Sequence, residues 1–227
     1  MLDATALAAM GEPHGTVVVA DRQTSGIGRH GHTWHSEQDA GLYVSIILRL
    51  KLPPADLPVL TMALGLAVQS AVNDFAGVSA DLRWPNDVMV NEKKLAGILV
   101  QSHGEAQIAG IGINVNHKSF PADIDDIATS LLMETGRKHS KVDLLDHLRT
   151  TMLPYVHILT DRGKKEIFRL FTMRSSYVIG KQVEVDLGTR VIRGDTAGLD
   201  ENGFLLVSTP HGRETVMAGG VRPAVGS

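Results

Sequence analysis

Between Pro58 and Phe75 the apolar residues Leu60, Leu64, Ala67, Val68, Ala71 and Phe75 recur at three- and four-residue intervals, the signature of a helix with one buried face. Pro58 suits the first turn, where a missing N–H costs nothing. Around this helix, short apolar runs alternate with turn-forming clusters. Leu2 to Met10 is alanine-rich at helical spacing and stops at Gly11-Glu12-Pro13-His14-Gly15. Thr16 to Ala20 is short and β-branched, which predicts a buried strand, and Leu42 to Leu50 predicts a second. Four more strands are expected at Asp81–Trp84, Val88–Val90, Leu95–Gln101 and Gln107–Val115. Their tight spacing predicts antiparallel hairpins, with Asn91-Glu92-Lys93 as one turn. From Lys141 to Arg174 the period returns to helix, broken near Pro154 and around Asp161-Arg162-Gly163.

After Tyr177 the pattern changes to short alternating segments: Gln182–Val185, Thr189–Leu199, Gly203–Ser208 and Glu214–Met217, separated by turn chemistry. This predicts a small all-β unit of about 50 residues, near the lower limit for folding alone, so it should pack on the main body. The boundaries are drawn at 1–175 for a catalytic domain and 176–227 for the β unit.

Composition narrows the functional classes. No apolar run approaches the roughly 18 residues of a membrane span, and the N-terminus lacks signal-peptide character, so no membrane role and a cytoplasmic location are expected. The 227 residues include no cysteine, which removes disulfides, thiolate nucleophiles and cysteine-held zinc. A net charge of −3 with no basic run gives no general attraction to nucleic acid.

Chemistry concentrates in the polar stretch Asp21-Arg22-Gln23-Thr24-Ser25-Gly26-Ile27-Gly28-Arg29-His30-Gly31-His32-Thr33-Trp34. Gly26, Gly28 and Gly31 fit G-x-G-x-x-G, but the dinucleotide fingerprint needs a helix directly afterwards and an acidic residue about 20 positions on. Here a tryptophan and a strand follow instead. A plain surface loop is the bland alternative. Against it stands the mixture of glycines that admit a ligand to the backbone, an arginine for charge and a tryptophan for stacking. His30, His32 and His35 read as solvated histidines, because no carboxylate or cysteine partner is visible beside them.

This loop is similar to the glycine-arginine loop of biotin protein ligases. Three further segments follow in the same order: Arg83-Trp84-Pro85-Asn86-Asp87 resembles the family's W-P-N-D motif, Lys93-Lys94-Leu95-Ala96-Gly97-Ile98-Leu99 its K-L-A-G-I-L strand, and Gly110-Ile111-Gly112-Ile113-Asn114 its G-I-G-[IL]-N strand. Each motif is modest alone, but four in order are specific. The resemblance covers essentially the whole chain, and it implies an α+β fold. That fold is a mixed, largely antiparallel sheet with helices packed on one face, like class II aminoacyl-tRNA synthetases, followed by a small SH3-like β-barrel.

The resemblance also implies an ATP-dependent ligase, with ATP, Mg²⁺ and biotin as its small molecules. Biotinyl-5′-AMP forms first and the biotinyl group then passes to a lysine of the biotin carboxyl carrier protein of acetyl-CoA carboxylase. Lys94 would bridge the biotin carboxylate and the α-phosphate, and without the Leu95-Ala96-Gly97 that follows it would read as an ordinary strand lysine. Gln23, Gly26, Ile27, Gly28, Arg29 and Gly97 would join Lys94 around biotin. Arg29, Trp34, Asn86 and Asn114 would face the nucleotide, although a core tryptophan and a turn asparagine are the plain readings of Trp34 and Asn114. Asp87, grouped with Lys94 and Arg29 as catalytic, has three open roles: holding Lys94, meeting Mg-ATP, or satisfying a turn with Asn86. No metal is expected to be held by the protein alone.

Two departures from the family pattern stand out. Ile27 and His32 occupy places where arginine is common, so Arg29 is the only arginine of the glycine stretch. The Ser-Thr pair that such ligases carry before the first helix would fall just upstream of Met1. The motifs begin within the first 30 residues, which implies the monofunctional type without a DNA-binding domain and so no DNA partner. A lipoate-protein ligase and a truncated non-catalytic biotin-binding protein remain the alternatives, and monomer or homodimer is left open.

Overall fold

The computed structural model describes residues 1–31 and 33–224, with His30 by its backbone alone. Its centre is a six-stranded sheet in the order β1-β2-β6-β5-β4-β3: β1 is Val17–Ala20, β2 Gly41–Leu48, β3 Asp81–Arg83, β4 Asp87–Val90, β5 Lys93–His103 and β6 Ala106–Asn114. Every ladder is antiparallel, and one isolated parallel bridge, Lys94 to Ala128, supplies the mixed element. The β4–β5 turn is tight because Asn91 and Glu92 both adopt positive φ, 49° and 63°, the conformation a two-residue hairpin turn requires.

One face of this sheet is covered by α2 (Leu57–Ala76), α4 (Lys141–His157) and α5 (Lys164–Arg174). Helix α2 begins with proline in its first turn and ends at Gly77 in the left-handed conformation. It is the one helix among the described residues that is long and apolar enough to cross a membrane, yet most of it is buried against the sheet and its neighbouring helices. The core takes alternate residues of β2, namely Leu42, Val44, Ile46 and Leu48, as the two-residue period of a strand dictates.

The opposite face is only partly covered. Helix α1 (Leu2–Ala9) packs Ala4 and Ala8 over Ile47 and Ile108 at one end, so the helices do not all lie on one face. Helix α3 (Leu131–Thr135) is a short capped turn, with Ser130 accepting from the Met133 amide.

The expected break near Pro154 does not occur. Helix α4 runs through the proline, because Met152, Tyr155 and Val156 are buried and the Tyr155 hydroxyl is held by Ser70 and Arg174. That packing outweighs a local cost of about 3 kcal/mol. The irregularity comes at Ile158–Arg162, a π-helical segment ending at Gly163.

The C-terminal unit is a five-stranded antiparallel sheet in the order β10-β9-β8-β7-β11, formed by β7 (Ile179–Asp186), β8 (Val191–Leu199), β9 (Leu205–Thr209), β10 (Gly212–Val216) and β11 (Gly220–Pro223). The pattern did not predict β11. Val183, Val185, Ile192, Leu205 and Val207 join the same core as the main sheet. The indole of Trp84 donates to the Gly203 carbonyl at 2.9 Å across the join.

Candidate active site

The partly covered face carries a row of register partners, Tyr43, Gly112, Gly97 and Asp87, on four neighbouring strands. Two of these lack a side chain, and Gly110 lies two residues before Gly112 on the same face. The result is a glycine floor. A Cβ on Gly112 would lie 2.6 Å from the Trp34 ring, and one on Gly110 would lie 2.7 Å from Met1 Sδ. Trp34 and Met1 thus flank a narrow cleft of about 50 Å³, which Gln23, Gly28, Arg29, Asn86 and Lys94 help to line.

Lys94 reaches this face through an irregularity. Three positions separate it from Gly97, so strict alternation would put the two on opposite faces. Between β4 and β5 the register runs Val88 to Ala96 and then Met89 to Lys94, which leaves Leu95 as the extra residue of a bulge. Leu95 turns into the helix-side core with Ala96 and Ile98, and Lys94 turns out over the floor. A Cβ on Gly97 would lie 3.3 Å from Lys94 Nζ. The Lys94 backbone is fixed on its other side, where its amide donates to Ile127 and its carbonyl accepts from Thr129.

A chain of charges continues from there. Lys94 Nζ lies 2.6 Å from Asp87 Oδ1 as an ion pair outside good hydrogen-bond alignment, while Arg83 donates to Asp87 Oδ2 at 2.7 and 3.2 Å. Burial works against the Asp87 charge. Lys94 and Arg83 together outweigh it and hold the carboxyl below its ordinary value. Both oxygens are thereby engaged, and no carboxylate lines the cleft among the described residues. The site does not fit a protein-held Mg²⁺, so any Mg²⁺ would travel on the nucleotide phosphates.

The glycine loop forms the cover. Gly26 accepts from the Trp34 amide at 2.9 Å, Ile27 bridges to Thr33, and the Gln23 amide donates to Ser36 Oγ at 2.8 Å. Arg29 donates to Asn86 Oδ1 at 3.2 Å, and Asn86 Nδ2 donates in turn to the Ile98 carbonyl at 3.1 Å, so Asn86 links cover to floor. Burial holds the Arg29 guanidinium below its ordinary value, with Asp87 acting the other way. Trp34 Nε1 is buried without a partner, against the floor at Gly112.

Most of the residues picked out in the sequence therefore come together: Gln23, Ile27, Gly28, Arg29, Trp34, Asn86, Lys94 and Gly97 all border the cleft. Gly26 shapes the loop, and Asp87 anchors Lys94 from the next strand. Asn114 does not border the cleft. It is buried, its amide donating to the Thr129 carbonyl at 3.0 Å and weakly to that of Lys94 at 3.4 Å, so it braces the backbone of Lys94. Sequence reading missed Arg83 as the second cation on Asp87 and the use of Gly110 and Gly112 as floor. Glycines two apart on one strand face were the available signal.

His30's side chain and His32 lie outside the described residues. His35 is half-buried beside His117 and Phe120 instead of standing free in solvent. A wider groove bordered by Asp81, Glu92 and Ser176 lies elsewhere, but its polar groups largely satisfy one another, as Ser176 with Asp81 and Lys181 with Glu92.

Comparison with known proteins fits this architecture. Residues 8–117 match the Biotin/lipoate A/B protein ligase family, and residues 178–221 match the Biotin protein ligase C terminal domain. Fold and site thus define a protein of the biotin and lipoate ligase class. The chain is 32% identical over 219 residues to the Biotin--[acetyl-CoA-carboxylase] ligase of Mycobacterium tuberculosis, covering 91% of this chain and 77% of that one. The biotin protein ligase from Aquifex aeolicus, solved in complex with biotin and ATP, superposes with a TM-score of 0.86 at 33% identity, covering 96% of this chain and 94% of that one. The chain belongs to the biotin protein ligase family. It is also 36% identical over 211 residues to the Bifunctional ligase/repressor BirA of Bacillus spizizenii, but spans only 63% of that relative's length.

Proposed function

We propose that this chain activates biotin with ATP as biotinyl-5′-adenylate and then transfers the biotinyl group to a lysine of a biotin carboxyl carrier protein, working in the cytoplasm. The observation that carries this reading is the glycine floor with Lys94 standing over it. A flat carboxylate and a phosphate can approach the strand backbone there, and one fixed ammonium can serve both. The resemblance to proteins named for biotin ligation supports the choice of substrates.

In the first step a carboxylate oxygen of biotin attacks the α-phosphorus of ATP, forming the mixed anhydride and releasing pyrophosphate. Two anions must meet, so the barrier falls where positive charge is already oriented and water is excluded. Lys94 supplies that charge, and Asp87 keeps its ammonium aimed, with Arg83 offsetting the carboxylate. Arg29 sits on the cover, where it can meet the phosphate when the loop closes. Trp34 must leave the floor, or slide along it, to admit ligand; its unpartnered Nε1 then becomes a donor to it. In the second step the neutral amine of the carrier lysine attacks the acyl carbon. AMP leaves, and the amine loses a proton to give the amide.

The deciding experiment incubates the chain with ATP and either biotin or lipoate, then follows adenylate formation by mass spectrometry and labelling of a biotin carboxyl carrier domain. Biotinyl-adenylate and a single biotinylated carrier lysine are expected. Lipoyl-adenylate in preference would favour lipoate ligation, and binding of biotin without either adenylate would favour a non-catalytic role.

A further inference from the structure

Where the glycine loop leaves the active site, it meets a cluster that the ligase reaction does not use. His35, Glu37 and His117 bring one ligand atom each to within 4.8 Å of one another, although His117 is some 80 residues away in sequence. His117 is fully buried. Its Nε2 lies 3.2 Å from the Tyr43 hydroxyl, and its Nδ1 has no partner. The Phe120 ring stacks on His117 with centroids 5.0 Å apart, and the Ser130 hydroxyl donates to its carbonyl at 2.7 Å. Glu37 is pinned as well, since its amide donates to Tyr43 Oη at 3.0 Å and its carbonyl accepts from it at 3.1 Å.

We propose that His35, Glu37 and His117 bind a transition-metal dication of the zinc class, which ties the exit of the glycine loop to the segment following β6. Two imidazoles and one carboxylate suit Zn²⁺ or Co²⁺ and are a poor set for Mg²⁺ or Ca²⁺, which prefer oxygen ligands throughout. The buried Nδ1 of His117 has no hydrogen-bond partner, which leaves that nitrogen open to a metal. The Tyr43 contact matches the supporting partner that a ligating histidine uses on its other nitrogen. A tetrahedral zinc shell needs ligand atoms about 3.3 Å apart. Rotation of exposed Glu37 and half-buried His35 supplies that closure around the fixed His117, and water completes the shell.

The test is calorimetric titration of the untagged full-length chain with ZnCl₂, alongside CoCl₂ and MgCl₂. One Zn²⁺ per chain is expected, no heat from MgCl₂, and the intense visible absorption of four-coordinate Co²⁺. His35→Ala and Glu37→Gln should each weaken Zn²⁺ at least tenfold, whereas His14→Asn, between α1 and β1 with its Nδ1 accepting from the Arg49 amide, should not. His117 packs tightly and its replacement risks the fold, so the two accessible variants carry the test. Failure to bind Zn²⁺ with unit stoichiometry, or wild-type affinity in both variants, overturns the site. Limited trypsin digestion tests the tie to the loop: Zn²⁺ should slow cleavage after Arg29 severalfold in the wild type and not in His35→Ala. Equal slowing in both, or none in the wild type, overturns that tie.

Discussion

The floor and the cover of the cleft are built on opposite principles. The floor consists of β4, β5 and β6, locked by antiparallel ladders and backed by the helix-side core, and it fixes Lys94, Asp87 and Gly112 to one another before any ligand arrives. The cover is a loop held by a handful of bonds: a two-residue bridge, the Gly26–Trp34 contact and one arginine on Asn86. A rigid charge array can lower a barrier without reorganising at the moment of reaction, whereas a loosely held cover can open for substrates and close over an intermediate. Lesions in the two regions should therefore differ in kind, with floor changes abolishing chemistry or binding and cover changes altering retention.

The largest effect should come from Lys94→Ala. Removing a preorganised charge at a developing anion costs about 10²–10³-fold, so pyrophosphate release dependent on biotin should fall by that much while circular dichroism is unchanged. A fall of less than tenfold would take Lys94 out of the centre of the floor.

Asp87→Asn comes next and probes why the floor is rigid. Breaking a buried ion pair by removing one partner costs about 3 kcal/mol, to be read by denaturant unfolding at pH 7. The sign of the pH dependence follows from the depressed Asp87 pKa. Its charge stabilises the fold above the unfolded value of about 3.9, and the contribution is lost as pH falls through the lower folded value. The gap between wild type and variant should narrow as pH drops below 4; a constant gap would mean the carboxylate charge contributes nothing.

These two residues also show what the sequence could and could not reveal. The six strands and α2 were legible because strand and helix periods are local properties, and Asn91-Glu92 announced its own turn. The face on which Lys94 stands was not legible from alternation, which pairs it with core-facing Ala96 and Ile98. The bulge at Leu95 reverses this, and bulges leave no mark in a period-two pattern. The K-L-A-G-I-L likeness pointed to Lys94 where geometry alone would have buried it. Strand β11 was missed because Val221 is its only buried apolar residue. His35 was taken for a solvated histidine because its neighbour His117 lies on another segment, a contact that only the tertiary fold creates. At Pro154 the error ran the other way: local breaking power was read correctly and then overridden by packing.

Gly112→Ala tests the floor by filling it. The new methyl would meet the Trp34 ring at 2.6 Å and stand where the proposed ligand would lie, so biotin affinity by calorimetry should fall tenfold or more, with unfolding stability near wild type. Because the floor cannot yield, saturating ATP should not restore the affinity. Wild-type affinity would show that ligand never approaches this strand.

Arg29→Gly tests the cover, and its effect should be the smallest on chemistry and the most specific on retention. Among the described residues Arg29 hydrogen-bonds the rest of the site only at Asn86, at 3.2 Å, from a loop whose Ile27 is exposed, so its loss leaves the floor intact and Lys94 in place. A charge-assisted hydrogen bond to the adenylate phosphate is worth about 1.5–3 kcal/mol, which predicts adenylate dissociation at least tenfold faster, measured by trapping released biotinyl-adenylate after preloading. Adenylate synthesis should fall less than in Lys94→Ala, and biotin should appear on lysines of bystander proteins that never dock at the site. If dissociation is unchanged and labelling stays confined to the carrier, the loop is not the element that retains the intermediate, and the division of labour between a rigid floor and a closing cover fails at that point.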